Sequence, residues 1–379
     1  NKKATELLKQ YGFERIKAAD MIDSYNFEDR KLVEIVKATY FNPKIVVIDE
    51  TTTALSQEGR EELYKHMERI RKSGNTVIFI SHDLPEIIEK SDTITILRDG
   101  VYIDTVKSKD VNENDLKKLM VGREVTGDYY RSDYGEKVSD EVVLSVKDVT
   151  VPGLIENVSF DLHKGEILGF GGLSESGMHE IGKAIFGASY DREGTVELAD
   201  GTQINDIPTA IKHSIAYTSK DRDNESVVLN QSIGDNICLP SLDELSGPAH
   251  LISDKKKKDF ANKFAKQMSV KMVDVNQFVS NLSGGNKQKV VLARWIGKDS
   301  DIVVLDSPTR GIDIKVKQDI YQLMNQMRKN GKSIIMISEE LMELIGMCDR
   351  IMIMKDGKIS GELERDQNLD ENGLITMMV

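Results

Sequence analysis

The segment VVLDSPTRG, residues 303–311, decides how the chain is to be read. Apolar residues running straight into Asp306 are the pattern of a buried strand that delivers a polar group at its C-terminal end. A similar segment, VVIDETTTA, occupies residues 46–54. There Asp49 is followed by Glu50, whereas Asp306 is followed by Ser307. One copy keeps two adjacent carboxylates, and the other replaces the second with a hydroxyl.

The likeness spreads in both directions. EIVKATYFNPKIVVIDE (34–50) matches VVLARWIGKDSDIVVLDS (290–307), and VIFISHDLPEIIEKSDTITILRDG (77–100) matches IIMISEELMELIGMCDRIMIMKDG (334–357). Asp49 and Asp306, His82 and Glu339, and Gly100 and Gly357 all stand 257 residues apart. NENDLKKLMV (112–121) and DENGLITMMV (370–379) continue the repeat at 258. A period this long is a whole domain and not a solenoid unit. The expected organisation is the C-terminal part of a first domain over 1–122, a linker over 123–140 and a second domain over 141–379. The linker, REVTGDYYRSDYGEKVSD, is polar and rich in turn-forming residues. The counterpart of residues 142–230 does not precede Asn1, so the first domain is expected to be incomplete.

The rhythm is α/β. Residues 45–48, 76–80, 302–305 and 333–337 read as buried parallel strands. EGREELYKHMERIRKSG (58–74) and VKQDIYQLMNQMRKNG (316–331) read as helices closed by glycine. Strand–helix–strand alternation implies a parallel sheet with its sites at the strand C-termini. Asp49, Glu50, His82 and Asp306 fall at such ends.

Composition narrows the classes. The 379 residues carry a formal net charge of −12, so no global positive field argues for nucleic acid. The run Lys255–Lys258 reads as a solvated helix face. Cys238 and Cys348 have neither metal spacing nor a disulfide framework, which suits a reducing compartment. No apolar run approaches the roughly 20 residues of a membrane span, and no signal-peptide pattern opens the chain.

GEILGFGGLSESGMHEIGKAIFG (165–187) reads as a strand, a glycine-rich turn and a helix. Gly172 and Gly177 have the spacing of the phosphate-binding loop G-x-x-x-x-G-K-[ST], with Ser176 inside it. Backbone N–H groups at such a helix start bind phosphate, and a lysine there reaches the outer phosphates. Here Met178 stands for the lysine and His179 for the Mg²⁺-binding hydroxyl.

LSGGNKQKVVLAR (282–294) resembles the signature motif of ATP-binding cassette (ABC) proteins, with Asp306 following at Walker-B distance. SKDRDNESVVLNQSIGDNI (219–237), SPTRGIDIKVKQDIY (307–321) and the LMVGRE run (119–124) resemble segments of one branch. That branch is the tandem ATP-binding subunit of bacterial importers for monosaccharides of the ribose, galactose, arabinose and xylose type. The resemblance covers essentially the whole chain. It implies tandem ABC-type nucleotide-binding domains of the P-loop NTPase fold, each with a helical subdomain, the first incomplete. It also implies ATP and Mg²⁺, two integral membrane permease subunits, an extracytoplasmic solute-binding protein acting indirectly, no nucleic acid, and a peripheral place on the cytoplasmic face of the cell membrane.

In that family each ATP lies between two domains, so the motif residues sort into two composite sites. The first takes Asp49 for Mg²⁺ through water, Glu50 as base and His82 at the terminal phosphate. The second domain lends it Ser283, Gly284, Gly285 and Asn286 of the signature and Asp313 of the following loop. Every visible part is intact. The other site keeps Asp306 but has Ser307 for the base, Glu339 for the histidine, Met178 and His179 in the loop after Gly172, Ser176 and Gly177, and Lys220 where the branch has an acidic residue. Its partner signature is YNFED (25–29), with Phe27 and Glu28 where glycines should approach phosphate, and Ser56 replaces its loop aspartate. The losses fall together on one site. The expectation is one hydrolytic and one degenerate site, with little hydrolysis by these residues alone. Rival readings are a non-catalytic ABC-like scaffold, the equivalent subunit of a nucleoside or autoinducer-2 importer, and a tandem ATPase of translation or repair.

Overall fold

The computed structural model describes every residue except 26, 50, 53–54, 56, 82, 99–100, 122–128, 134–137, 248–250, 313, 367–368 and 379. The chain forms two compact units, Asn1–Thr126 and Gly127–Val379. The strands of the first are β1 (Ile45–Asp49), β2 (Thr76–Ile80), β3 (Thr93–Arg98) and β4 (Val101–Lys107). Those of the second are β5 (Val142–Val151), β6 (Ile155–His163), β7 (Ile167–Gly172), β8 (Glu193–Leu198), β9 (Ile215–Thr218), β10 (Ile302–Asp306), β11 (Ser333–Ile337), β12 (Arg350–Lys355) and β13 (Lys358–Glu364).

In the second unit six strands form one sheet in the order β13-β12-β7-β11-β10-β9, all parallel except the edge strand β13. β7, β10 and β11 are buried along their whole lengths, as continuous apolar runs require when helices cover both faces. A separate antiparallel sheet has the order β6-β5-β8. Helices Ile233–Cys238, Asp254–Gln267 and Gly284–Lys298 pack together as a helical layer. Arg294 pins that layer. Its Nε donates to the Asn236 carbonyl at 2.7 Å and its Nη1 to the Ser226 carbonyl at 2.6 Å.

The first unit reproduces part of this plan in register. Ile45 lies opposite Thr76 in β1–β2, as Ile302 lies opposite Ser333 in β10–β11. Thr93 lies opposite Lys107 in β3–β4, as Arg350 lies opposite Glu364 in β12–β13. The irregularity after Ile96 recurs after Ile353. In the second unit β7 sits between β11 and β12, but no strand among the described residues joins β2 to β3. Sequence alone expects buried strands in both copies. In the first, Ile45, Val47, Ile78 and Ile80 are 46–59% exposed, while their counterparts Ile302, Val304, Ile335 and Ile337 are at most 4% exposed. The same apolar pattern is present, but the neighbours that cover it in the second unit have no described equivalent.

Each unit also buries one glutamate among the same partners. Glu86 accepts hydrogen bonds from Thr52 (3.0 Å), Ser81 (2.8 Å) and Tyr64. Glu343 accepts from Ser338 (2.8 Å), Thr309 and Tyr321. All four pairs of equivalent residues are 257 apart. The carboxylate ties the loop after the first strand, the end of the next strand and the helix between them.

Part of the expected linker belongs structurally to the second unit. Tyr130 packs against Gly346, where any Cβ would collide with the ring. Arg131 pairs with Asp133 (2.9 Å) and Asp349 (2.6 Å), and Arg328 and Arg365 also pair with Asp133. Asp349 in turn accepts from the Ile167 N–H at 2.8 Å, at the start of β7. Burial opposes the charge on Asp133, but the arginines outweigh it and hold the carboxyl below its usual range. Its stabilisation is therefore complete above about pH 4, the unfolded carboxylate value, and is lost as pH falls through the depressed native value. Replacing Asp133 with alanine leaves three arginines facing one another. We expect urea unfolding at pH 7 to show a loss of about 3–5 kcal/mol in the second unit; a loss below about 1 kcal/mol would assign these pairs no more than the weight of surface ion pairs.

Candidate functional site

The site of the second unit is built at the C-terminal end of its sheet. β7 runs into the loop 173–177, and helix Met178–Ile185 follows. Gly177 adopts φ +90°, and a Cβ there would lie 2.6 Å from the Leu154 carbonyl oxygen. Only glycine fits at that point. The first N–H groups of the helix have no partners within it and carry its positive dipole end, which makes the turn a cradle for anions. Ser176 is buried, and its hydroxyl, without a protein partner, lies against Gly172. Met178 is fully buried in the core and takes no place in the cradle.

The remaining side chains converge on one another. Asp306 ends β10 and is 1% exposed. Its Oδ1 lies 2.8 Å from His179 Nδ1 and accepts from the Ser307 hydroxyl at 3.1 Å, while Oδ2 has no protein partner. His179 Nε2 lies 3.1 Å from Lys220 Nζ and 3.4 Å from Glu339 Oε1. Lys220 Nζ donates to Glu339 Oε1 at 2.6 Å, and Ser174 Oγ donates to the same oxygen at 2.8 Å. Ser307 adopts φ +50°, a conformation that non-glycine residues rarely hold outside constrained sites. Glu339, which occupies the position of His82 in the repeat, is thus paired with Ser174, Lys220 and His179.

The electrostatics follow from this geometry. Hydrogen bonds from His179, Lys220 and Ser174 hold the Glu339 carboxyl well below the usual range against the cost of burial. Burial works against a charge on His179, but the two carboxylates outweigh both it and Lys220 and raise the imidazole above its usual value.

The signature residues form a second group. Ser283 caps helix Gly284–Lys298 by backbone position alone, and it is exposed. Asn286 donates to the Ser283 hydroxyl at 2.9 Å and accepts from the Lys271 N–H at 2.8 Å. A Cβ on Gly284 would meet Arg222 at 3.3 Å and the Gly311 carbonyl at 3.4 Å. Gly285 is part of the first turn. This helix start therefore presents a hydroxyl and N–H groups outward. In the first unit, Asp49 stands at the exposed end of β1. Glu50, His82 and Asp313 lie outside the described residues, as does Ser56.

Two sets of residues were missed at the sequence level. Ser174 carries no motif signal, because any loop residue could occupy that position. Glu86 and Glu343 with their hydroxyl partners did leave a trace: Thr52, Tyr64, Ser81 and Glu86 are each identical to the residue 257 further on.

A strand–loop–helix anion cradle, an aspartate at the end of the next strand but one in the sheet and an outward-facing signature helix define an ABC-type nucleotide-binding cassette. The ABC transporter family profile matches residues 155–310. The ribose import ATP-binding protein RbsA of Clostridium tetani is 38% identical over 340 residues, covering 89% of this chain and 67% of that protein. The xylose import ATP-binding protein XylG of Thermoanaerobacter pseudethanolicus is 43% identical over 344 residues, covering 88% of this chain and 68% of that protein. Among solved structures, a nucleotide-free ATP-binding cassette from an ABC transporter superposes with a TM-score of 0.53 at 17% identity, over 63% of this chain and 99% of that one. A dimeric bacterial ABC transporter cassette gives 0.52 at 22%, over 59% and 99%. The chain belongs to the ABC transporter family, whose cassettes are transport ATPases.

The residues around the second unit's cradle do not fit Mg²⁺ with ATP. The loop supplies no lysine and no hydroxyl at the metal position, and Asp306 Oδ1 already holds an imidazole. A divalent cation would have to sit against His179 and Lys220. No step is therefore assigned to a metal there.

The raised imidazole sets a measurable sign. Its pairing stabilises the fold below about pH 6.5, the unfolded histidine value, and that contribution disappears as pH rises through the native value. NMR of ¹³C-labelled histidine should place the His179 midpoint above 6.5, moving down in Glu339→Gln. A midpoint below 6.5 would mean that burial and Lys220 dominate and the ring is a neutral bridge.

Proposed function

We propose that the chain is the ATP-binding and ATP-hydrolysing subunit that powers import of a sugar across the cytoplasmic membrane. Residues 1–122 are then the C-terminal part of a first cassette and 141–379 a second, joined through 123–140. The shared pairing register of the two units, with the same irregularity and the same buried glutamate, supports the tandem reading. The exposed apolar faces of β1 and β2 support an incomplete first cassette. The names of the ribose and xylose import relatives support the sugar class.

In this reading the motif residues of the two cassettes sort into two sites of unequal ability. Asp49, Glu50 and His82 act in one, with Ser283, Gly284, Gly285, Asn286 and Asp313 lent by the second cassette. Glu50 orients and deprotonates the attacking water; the signature hydroxyl and helix start neutralise phosphate charge. Asp49 is the residue that would hold Mg²⁺, through water. Glu86 and its hydroxyl partners hold the segments on either side of Glu50 and His82 in place. The other site carries Met178, His179, Lys220, Ser307 and Glu339 and hydrolyses nothing. The observation that carries the assignment is that unequal distribution: every loss falls on one site, and the visible parts of the other are intact.

Two integral permease subunits and, indirectly, an extracytoplasmic solute-binding protein are the partners of this reading, with the chain peripheral on the cytoplasmic face. No helix among the described residues is long and apolar enough to cross a membrane, so a transport role needs such partners. A second reading, a non-catalytic scaffold, is favoured by the burial of Met178 and the pairing of Glu339. ATP hydrolysis by the gene's full product with its permease separates the two. Glu50→Gln should lower steady-state turnover by about a hundredfold or more, the scale of a lost general base, while Ser307→Ala leaves it unchanged. No turnover in wild type would favour the scaffold, and equal turnover in wild type and Glu50→Gln would remove Glu50 from the role of base.

A further inference from the structure

The donor set around Glu339 is that of a phosphate site, yet a side chain of the protein occupies it. A hydroxyl from inside the phosphate loop (Ser174), an ammonium (Lys220) and an imidazole (His179) all approach one oxygen, Oε1, at 2.8, 2.6 and 3.4 Å. A loop hydroxyl, a lysine and a further cationic group are what the outer phosphate of a nucleotide meets in a loop of this type. Here the lysine comes from residue 220 instead of the loop.

The charges close on themselves. Asp306 and Glu339 bring two negative charges, and Lys220 and a protonated His179 bring two positive ones. No metal is needed to balance them, and the imidazole lies against the one carboxylate that would have held it. The inner part of the cradle is different. The helix start, Gly177 at φ +90° and the buried, unpartnered Ser176 hydroxyl against Gly172 remain as the strand–loop–helix geometry builds them.

We propose that Glu339 is a tethered anion standing where a nucleotide's terminal phosphate would lie, so that the second unit's loop takes a nucleoside diphosphate without metal and rejects a triphosphate. The proposal rests on the reading of residues 172–179 as the phosphate loop, and it does not require hydrolysis at any site. A diphosphate places its charge at the helix start and leaves the Glu339 pairs intact. A third phosphate must displace the carboxylate from its three partners or face it as a like charge. The carboxyl is held well below its usual range by those same partners, so it remains an anion throughout the neutral range.

Calorimetric titration of the full chain with ADP and with ATP, each in Mg²⁺ and in EDTA, tests this. ADP should bind with the same Kd in both buffers, and ATP about tenfold or more weaker. Glu339→Ala and Glu339→Gln should each strengthen ATP binding by about tenfold and leave ADP within about threefold. Glu339→Gln keeps the shape and removes the charge, so it separates repulsion from a change of fold. Any nucleotide held by the first unit is insensitive to residue 339. ADP binding that needs Mg²⁺, ATP binding as tight as ADP in the wild type, or no ADP binding by any of the three proteins would overturn the proposal. A failed Glu50→Gln hydrolysis test would remove the transport-ATPase reading and leave this comparison standing.

Discussion

The glutamate buried in each repeat constrains everything around the site. Glu343 is fully buried and accepts from hydroxyls on three separate segments, and Glu86 does the same in the first unit. Hydroxyls cannot be left unpaired in such surroundings without a cost of about 1–3 kcal/mol each. The loop after the strand-end aspartate, the end of the adjacent strand and the intervening helix are thus locked to a common point. Burial pushes the Glu343 carboxyl up, against its hydroxyl donors and Lys317. Because Thr309 and Ser338 are held this way, Ser307 and Glu339 project from segments with little freedom of their own. The residues at those two positions can differ from their counterparts in the first repeat while the scaffold beneath them stays the same.

Much of this was legible in the sequence because it depends on local pattern. The runs ending in Asp49 and Asp306 are strands, and their partners lie in β2 and β11 as the repeat requires. Gly74 and Gly331 close their helices at positive φ. The offset of 257 carried the pairing register itself, down to the irregularity after Ile96 and Ile353. What pattern could not convey is burial that depends on neighbours. IVVID and IVVLD look alike, but one strand has an exposed face and the other none.

The polar clusters were less legible for a related reason. Arg131, Asp133, Arg328, Asp349 and Arg365 are scattered over more than 230 residues and carry no spacing that a sequence scan could recognise. Each alone reads as a surface charge, and only the folded chain brings them to one buried point. The same holds for Ser174, Lys220 and Glu339. The motif reading marks Lys220 and Glu339 as departures and gives Ser174 no signal at all. It does not show that the departures touch.

That contact changes what the departures mean. In the proposed reading each, taken singly, is a defect: a buried Met178 in place of a cation, His179 in place of a hydroxyl, Lys220 in place of an acid, Glu339 in place of a histidine. Taken together with Asp306, the last three make a cluster in which each charge has an opposite charge within 3.4 Å. Restoring a neutral residue at 339 alone would strand Lys220 beside an imidazole; restoring an acid at 220 alone would place it against Glu339. These side chains are therefore coupled by electrostatics, and the effects of changing them singly should not add. A site decaying without function has no need of such closure. In the proposed reading the absence of metal chemistry and the internal ion-pair network belong together: the charges that would have met a metal and a phosphate meet one another.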